Sequence, residues 1–216
     1  MSKVRVANFA VSIDGYSSAP NQTLEEPFGP GGIRERLMGW FFPTATFRKM
    51  IGKSDGETGI DNDFSIKSMT QMGAWILGRN MFGPIRGPWP NDEWKGWWGP
   101  NPPYHVPTFI LTHHPRAPIT MEGGTVFHFI TGGINEALDR AREVAGDKDI
   151  RIGGGATAVR QYLQAGLIDE MHLAQVPVLL GAGDSIFAGT DLHGLGYECT
   201  ERIIGERATH LMIKRK

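Results

Sequence analysis

The sequence is poorest in cysteine, with Cys199 alone among 216 residues. One cysteine excludes an internal disulfide and every metal site built on cysteine pairs. Neither sign of charge is in excess, because 22 lysines and arginines face 23 aspartates and glutamates. The chain therefore lacks the basic surface expected of a protein that binds nucleic acid or an anionic membrane.

Long apolar runs are also missing, so no segment is expected to span a bilayer. Residues 1–5 lack the apolar core and the small-residue cleavage site of a signal peptide. We therefore expect a cytoplasmic protein. Forty per cent of the residues are apolar, and the length is sufficient to bury a sizeable core. We predict a single domain over residues 1–216.

The order of the predicted elements indicates the fold class. Strands and helices alternate through the middle of the chain, and only strands follow at its end. This order predicts an α/β fold with a central, mostly parallel sheet flanked by helices and an antiparallel C-terminal edge hairpin. Asp61 or Asn62 is expected to cap the second helix, and irregular segments are predicted at 16–60 and 84–107. From apolar periodicity we predict strands at 4–13, 74–77, 108–112, 125–130, 149–152, 169–180, 197–204 and 208–214, and helices at 33–42, 61–72, 134–145 and 156–165.

The most informative segment covers residues 150–160. A β-branched run ends there at Gly153, Gly154 and Gly155, and a helix is predicted from Ala156. Glycines let a phosphate approach the backbone, and the first amides of a helix have no partner of their own. The segment therefore predicts a site for a phosphorylated cofactor or substrate. The alternative is a tight turn whose small residues serve only packing.

A Rossmann fold is not favoured by this turn, although Gly153, Gly155 and Ala158 satisfy the pattern G-x-G-x-x-A. That fold needs further strand–helix units and an acid at the end of the next strand to bind the ribose. Here Asp169 and Glu170 begin the next strand, and only strands follow it.

Four segments carry a resemblance to a known family: Val11-Ser12-Ile13-Asp14-Gly15; Ile76-Leu77-Gly78-Arg79 with Met81-Phe82; Phe109-Ile110-Leu111-Thr112; and residues 150–181. The chain resembles the dihydrofolate reductase-like fold, and most closely the reductase domain of the bifunctional riboflavin-biosynthesis deaminase-reductases. The similarity runs over nearly the whole chain, and the fourth segment is the specific one. Two features depart from that family. Gly153 stands where its members often carry an acid, and the zinc motif of the deaminase half has no counterpart in a chain with one cysteine.

The resemblance implies an NADPH-dependent reductase that acts on a small molecule. In that family the glycine turn cradles the pyrophosphate of the cofactor. The matching residues here are Gly153, Gly154, Gly155, Ala156 and Thr157.

The resemblance also implies where the adenosine 2′-phosphate is bound. Arg79, which follows Gly78, matches the family's arginine at this phosphate, and Thr112 matches the hydroxyl residue that closes the third strand. His113 and Arg116 are placed to assist. An arginine fork suits a phosphate, and a cluster of positive charge favours NADP over NAD. The alternatives are a surface salt bridge for Arg79 and a strand-end cap for Thr112.

Asp14 is the candidate catalytic residue, because it ends a central strand, where the sites of α/β proteins gather. It would bind a substrate hydroxyl or relay a proton; the alternative is an ordinary Asp-Gly turn. Four of the six tryptophans lie within residues 89–98. One interpretation is that they stack on a planar heterocycle or close over the pocket; the one we favour is that their loop packs on the body or on a second subunit. No metal site is expected, because the seven histidines are scattered.

Three functions follow from these features. The leading hypothesis is a stand-alone reductase resembling 5-amino-6-(5-phosphoribosylamino)uracil reductase of riboflavin biosynthesis. The second is pterin reduction of the dihydrofolate reductase type, for which Asp61 and Asp63 lie near the start of a helix. The third is a nucleotide-binding module without catalysis. The C-terminal strand pair is apolar on one face, and the family often dimerises through its sheet, so we predict a homodimer.

Overall fold

The computed structural model describes residues 2–83 and 87–216. It divides into two compact units. Unit 1 holds the N-terminal residues up to Arg5 together with Gln71–Leu167, and unit 2 holds Val6–Thr70 with Ile168–Lys216. The elements in chain order are β1 (Val4–Ser12), α1 (Ile33–Met38), α2 (Ala45–Met50), α3 (Ile60–Met69), β2 (Met72–Gly78), α4 (Arg79–Phe82), β3 (Pro107–Leu111), β4 (Ile119–Thr120), β5 (Val126–Ile130), α5 (Gly133–Ala145), β6 (Asp149–Gly154), α6 (Ala156–Gln164), β7 (Glu170–Val176), β8 (Tyr197–Ile204) and β9 (Thr209–Arg215).

Unit 1 is a parallel sheet covered by helices. Its strands lie in the order β4-β5-β3-β2-β6, and all its pairs are parallel except β4 with β5. Helix α5 packs on β2 and β3, and α6 packs on β6. Leu138 of α5 and Val159 and Leu163 of α6 are buried, the last two four residues apart on one helix face, and Ile76 and Ile152 of the strands are buried as well.

Unit 2 carries the antiparallel part of the fold. Its strands lie in the order β1-β7-β9-β8, with β7–β9 and β9–β8 antiparallel. The segment that follows β1 contributes Leu37, Trp40 and Phe41 to a core on Ala174 and Val176 of β7. Most of the long segment predicted as irregular thus folds over one face of the strands and buries aromatic side chains there.

The predicted fold class is confirmed, because the structure has a mostly parallel sheet with helices and antiparallel C-terminal strands. Strand β7 ends at Val176, earlier than predicted, because Pro177 has no N–H to donate to a ladder. Helix α2 was not predicted. It is held by its N-cap Thr44, whose side chain accepts from the Phe47 amide at 3.2 Å. None of the described helices is both long and apolar enough to cross a bilayer.

The start of α3 differs from the prediction, and a cap at Asp61 or Asn62 is wrong. The N-cap is Gly59, which has no side chain to offer. The carboxylate of Glu206 instead accepts the amides of Ile60 and Asp61 at 2.9 and 2.8 Å. A residue that is distant in sequence therefore caps this helix. The Asp61 side chain does not cap it; it is buried and contacts His210.

Of the loop predicted at 84–107, residues 84–86 lie outside the described residues, and residues 87–106 contain no helix or strand. The loop packs through its indole groups. The Nε1–H of Trp94 donates to the Phe82 carbonyl at 2.9 Å, and that of Trp97 to the Asn80 carbonyl at 3.4 Å. This part of the loop therefore packs on the body of the protein, and packing on a second subunit stays a prediction.

Candidate functional site

The glycine turn of unit 1 lies where β6 runs into α6. Gly154 has a φ of +115°, a conformation that favours glycine. Gly78, at the end of β2, lies beside the turn, since a Cβ added to it would be 3.2 Å from the Gly155 nitrogen. A Cβ on Gly153 would meet the Leu77 Cδ2 atom at 2.5 Å. Packing therefore accounts for Gly78 and Gly153.

Gly155 differs from its neighbours. A Cβ added to this residue would meet no heavy atom within 4 Å, and its φ of −68° suits any residue. Gly155 is the N-cap of α6 and no side chain caps the helix there. The space beside the Gly155 Cα is therefore open, next to the first turn of α6, whose amides have no partner further back in the helix.

Arg79 and Thr112 are brought together as the resemblance predicts. Arg79 begins α4 directly after β2, and its Nη1 donates to the Thr112 hydroxyl at 3.0 Å. The same hydroxyl accepts the His114 amide at 3.2 Å, so Thr112 also caps the strand end. The Nε and Nη2 atoms of Arg79 are buried and find no hydrogen-bond partner among the described residues. No acid in that part of the chain pairs with Arg79, which argues against a surface salt bridge.

Trp89 lies on the guanidinium of Arg79. The Arg79 Cζ atom is 3.1 Å from the ring centroid, and the Arg116 Cζ atom is 4.9 Å from it. The Trp89 Nε1–H donates to the His114 carbonyl at 2.9 Å, which fixes the plane of the ring. One indole therefore contacts two cations, an arrangement that favours positive charge over the ring face.

Arg116 is the second cation of this cluster, and its side chain is only 3% exposed. Its Nε lies 3.3 Å from a carboxylate oxygen of Asp92, and its Nη2 donates to the Asp92 carbonyl at 2.8 Å. Its Nη1 is buried without a partner in the described ranges. The Asp92 side chain is 92% exposed, so its charge offsets that of Arg116 only weakly.

The electrostatics of the cluster follow from this geometry. Burial, and then the neighbouring Arg116, lower the pKa of Arg79 to about 10. Three buried guanidinium nitrogens, Nε and Nη2 of Arg79 and Nη1 of Arg116, are left without acceptors in the described part of the chain. A surface cavity of about 410 Å³ is lined by Arg116, Trp89, Pro88, Asp92 and residues 114, 115 and 117, and Trp89 separates it from Arg79. An anion with several acceptor oxygens would satisfy these donors.

His113 and His114 follow Thr112 in an extended segment and differ in exposure. His113 is exposed and His114 is half-buried, as expected of adjacent residues that face opposite sides. The role of His113 at a phosphate stays a prediction. Within residues 2–83 and 87–216, no group of three or more histidine, cysteine, aspartate or glutamate side chains is placed to hold a metal ion.

Asp14, the predicted catalytic residue, belongs to unit 2. Its carboxylate accepts the Ser12 hydroxyl at 2.5 Å, the Gly181 amide at 2.7 Å and the Leu180 amide at 3.2 Å. These bonds, led by that from Ser12, lower the pKa of Asp14 below its usual value. The ionised group therefore holds the segment after β7 to the end of β1. Its catalytic role, to bind a substrate hydroxyl or to relay a proton, stays a prediction.

Sequence reasoning missed the buried contact between His172, His210 and Asp61 in unit 2. His172 is on β7 and His210 is on β9, and Ala174 is the direct partner of His210 in the antiparallel register. The two imidazoles are therefore diagonal neighbours on one face. The sequence shows only that both histidines fall within predicted strands of the C-terminal region. It does not show that they are in contact, because this depends on the register in which β7 pairs with β9.

Comparison with known proteins assigns this chain to a protein family. The family model described as the RibD C-terminal domain matches residues 3–204. The uncharacterised protein YyaP of Bacillus subtilis strain 168 is 37% identical over 59 residues, which are 27% of this chain and 31% of YyaP. The aligned part thus spans less than a third of that relative.

Solved structures show the same fold at low identity. A protein from Shewanella sp. PV-4 named for riboflavin biosynthesis has a TM-score of 0.60 at 19% identity, covering 100% of this chain and 99% of that one. Dihydrofolate reductase from Enterococcus faecalis, solved with NADP(H), has a TM-score of 0.54 at 16% identity over 99% and 96% of the chains. RibD of Acinetobacter baumannii has a TM-score of 0.52 at 18% identity. This chain is fully covered and spans 58% of that protein.

Proposed function

Because the chain belongs to the RibD C-terminal domain family, whose members are of the reductase type, we propose that it is an NADPH-dependent reductase. The proposed substrate is a small heterocyclic or ribosyl compound with a carbonyl or imine to be reduced, as in the reductase step of riboflavin biosynthesis. The observation that carries the proposal is the cluster of unpartnered guanidinium donors at Arg79, beside the open glycine turn at Gly155.

The arginine cluster supports NADPH over NADH. The two cofactors differ by the 2′-phosphate of the adenosine, which adds a dianion with three acceptor oxygens at neutral pH. Arg79 presents two buried donors and Arg116 presents one, all without acceptors among the described residues. Charge-assisted hydrogen bonds to such donors are about twice as strong as neutral ones. The hydroxyl of Thr112 holds the Arg79 fork in position through its bond to Nη1.

The glycine turn supports binding of the diphosphate. Gly78 allows β2 to approach the turn closely, so the residue before Arg79 lies against Gly155. In unit 1 the proposed 2′-phosphate and diphosphate sites are therefore near neighbours in space, although about 75 residues separate them in sequence. A dinucleotide needs both anion sites on one surface, and the nearness of Gly78 to Gly155 supports this part of the proposal.

Bound NADPH would supply a hydride, and the protein's own residues would bind and orient the reactants. Asp14 is ionised at neutral pH and would accept a hydrogen bond from a substrate hydroxyl. We assign it no role as a proton donor.

The pterin hypothesis is less well supported. It needs a carboxylate on the helix before β2 that is available to the substrate. The Asp61 carboxylate is buried and accepts from the His210 imidazole at 2.8 Å and from the Arg207 amide at 3.0 Å. Asp63 is exposed in the first turn of the same helix. Neither residue offers a free buried acid.

Equilibrium titration of the purified protein with NADPH and NADH tests the proposal. We expect NADPH to bind at least tenfold more tightly, which corresponds to about 1.4 kcal/mol. Arg79→Gln should remove this preference and leave the weaker NADH binding unchanged. Arg140→Gln is the matched control, because Arg140 is exposed on α5 and pairs with Glu136 on the same helix. Binding of neither cofactor would contradict the proposal.

Turnover separates the hypotheses once binding is shown. NADPH oxidation should be followed with a phosphoribosylaminopyrimidine and with a dihydropterin. Oxidation with the first alone supports the proposed reductase, and oxidation with the second alone supports the pterin enzyme. Tight NADPH binding without oxidation of any carbonyl or imine tested would favour the nucleotide-binding module.

A further inference from the structure

Three buried polar side chains form a continuous hydrogen-bonded row through unit 2. The backbone amide of Asn8 on β1 donates to Nδ1 of His172 at 3.1 Å. Nε2 of His172 lies 2.9 Å from Nδ1 of His210, and Nε2 of His210 lies 2.8 Å from an oxygen of Asp61. The row therefore joins β1, β7, β9 and the first turn of α3. None of its members belongs to the proposed cofactor site.

The positions of the protons in this row follow from its two ends. The Asn8 amide can only donate, so Nδ1 of His172 must accept and the ring proton of His172 lies on Nε2. That proton is donated to Nδ1 of His210, which places the second ring proton on Nε2, facing the Asp61 carboxylate. Both imidazoles are therefore neutral, and all four ring nitrogens are engaged.

The row is enclosed by aromatic rings. The Phe64 ring stacks on His210 and on His172, with centroid distances of 4.1 and 4.5 Å. Trp40 meets the two imidazoles edge-on at 5.4 and 6.1 Å. His210 is 0% exposed and His172 is 5% exposed. Water therefore cannot readily solvate an added charge on either ring.

The charged groups around the row come from α3 and from the turn between β8 and β9. On α3 they are Asp61 and Lys67, whose Nζ lies 5.1 Å from the Phe64 centroid. In the turn, the Glu206 carboxylate binds the amides of Ile60 and Asp61, and Arg207 donates its amide to Asp61. The Arg207 guanidinium is paired with Glu57. β1 contributes the Asn8 amide, β7 and β9 contribute the two histidines, and the segment after α1 contributes the Trp40 ring.

An added proton has no free lone pair to occupy on either ring. At Nδ1 of His172 it would replace the bond from the Asn8 amide with two N–H groups that face each other. At Nδ1 of His210 it would do the same to the bond between the imidazoles. Burial is the largest influence on His210 and lowers its pKa, while Asp61 opposes this shift. Geometry and burial therefore both disfavour the imidazolium form.

We propose that the His172–His210 pair is a proton-sensitive latch that holds β1, α3, β7 and β9 together while both rings are neutral and releases them when one ring takes up a proton. In the release step an imidazole nitrogen gains one proton from solvent and loses the hydrogen bond that it had accepted. Unit 2, and not the cofactor cluster of unit 1, is thereby made sensitive to mild acid.

The size of the effect follows from linkage. An unfolded histidine titrates at about pH 6.5, and a histidine held neutral in the folded chain takes up its proton only on unfolding. Below that pH the unfolding constant should therefore rise up to roughly tenfold per pH unit for each histidine. For the pair the limit is roughly a hundredfold per unit. Above about pH 7 the contribution should be independent of pH.

Denaturant unfolding of the full chain from about pH 8 to about pH 5 tests the proposal. We expect the wild-type chain to lose stability below about pH 6.5 with this slope. The double variant His172→Gln/His210→Gln should lose most of the slope, because an amide can donate and accept without titrating. His193→Gln is the control, because His193 is an exposed histidine of unit 2, and its slope should match that of the wild-type chain. Equal slopes for the double variant and the wild-type chain would overturn the proposal.

If the double variant does not fold, a second measurement on the wild-type chain tests the proposal. Nitrogen NMR of histidine-labelled protein reports the protonation of each ring nitrogen. We expect two rings that are protonated only at Nε2 at neutral pH and that stay neutral below pH 6.5 until the chain opens. Two imidazolium rings in the folded chain at that pH would overturn the proposal.

Discussion

The variant Gly155→Ala tests whether Gly155 is needed for ligand binding or only for packing. A methyl group at this position meets no heavy atom of the protein within 4 Å, and the φ of −68° imposes no strain on alanine. Loss of backbone freedom in the unfolded chain should stabilise the variant by about 0.4–1 kcal/mol. Alanine is a poorer N-cap than glycine by a similar amount. The melting temperature should therefore change by less than about 4 °C.

The cofactor should be affected far more than the fold. If the diphosphate lies against this turn, the methyl group occupies its approach and breaks one charged hydrogen bond or more, each about 1.5–3 kcal/mol. The dissociation constant should rise about 10- to 150-fold. The rise should be equal for NADPH and NADH, since both carry the diphosphate. Arg79→Gln differs in this respect, because it should affect NADPH alone.

Gly153→Ala is the matched control, two residues away in the same turn. Its Cβ would lie 2.5 Å from Leu77 and 2.9 Å from Trp75, so the sheet must shift to admit it. Such overpacking costs about 1–3 kcal/mol, and the melting temperature should fall by several degrees. Calorimetric titration of both variants, with thermal melts of each, is the assay. A folded Gly155→Ala protein that binds NADPH as tightly as the wild-type chain would refute the assignment of the turn.

Three further outcomes are expected. Asp14→Asn should lower the melting temperature at neutral pH and reduce the decrease in melting temperature as the pH is lowered. The reason is that a carboxylate with a lowered pKa adds stability that is lost as the pH falls through its folded pKa. An unchanged decrease in melting temperature from about pH 6 to about pH 3 would contradict this. Tyr162→Phe should cost about 0.5–1.5 kcal/mol in denaturant unfolding, because the buried Tyr162 hydroxyl donates to the Ile134 carbonyl at 2.8 Å; an unchanged midpoint would count against that bond. Gly73→Ala should be destabilising because its Cβ would lie 2.7 Å from the Ala145 carbonyl oxygen, and a melting temperature equal to wild type would show that α5 can move away from β2.

Local patterns were enough to predict the parallel part of the fold. Helix α5 has apolar residues at the helical period, β6 has Ile150 and Ile152 at the period of a strand, and β3 has a short continuous apolar run, so a window of the chain contains the whole signal. The prediction failed where a distant residue decides the local structure. Helix α3 is capped by Glu206, which is about 145 residues away, and no nearby residue reveals this.

The sequence alone determined the glycine turn at residues 153–155 from its place between a strand and a helix, and it indicated Arg79 and Thr112 through the resemblance to a known family. Only the tertiary structure decided the setting of those residues. It placed Trp89 on Arg79, left Arg116 buried beside it, and lined up His172, His210 and Asp61 from three different elements. Periodicity and turn chemistry act between neighbours in the chain, whereas burial of charge and the partner of a buried donor depend on groups brought together by folding.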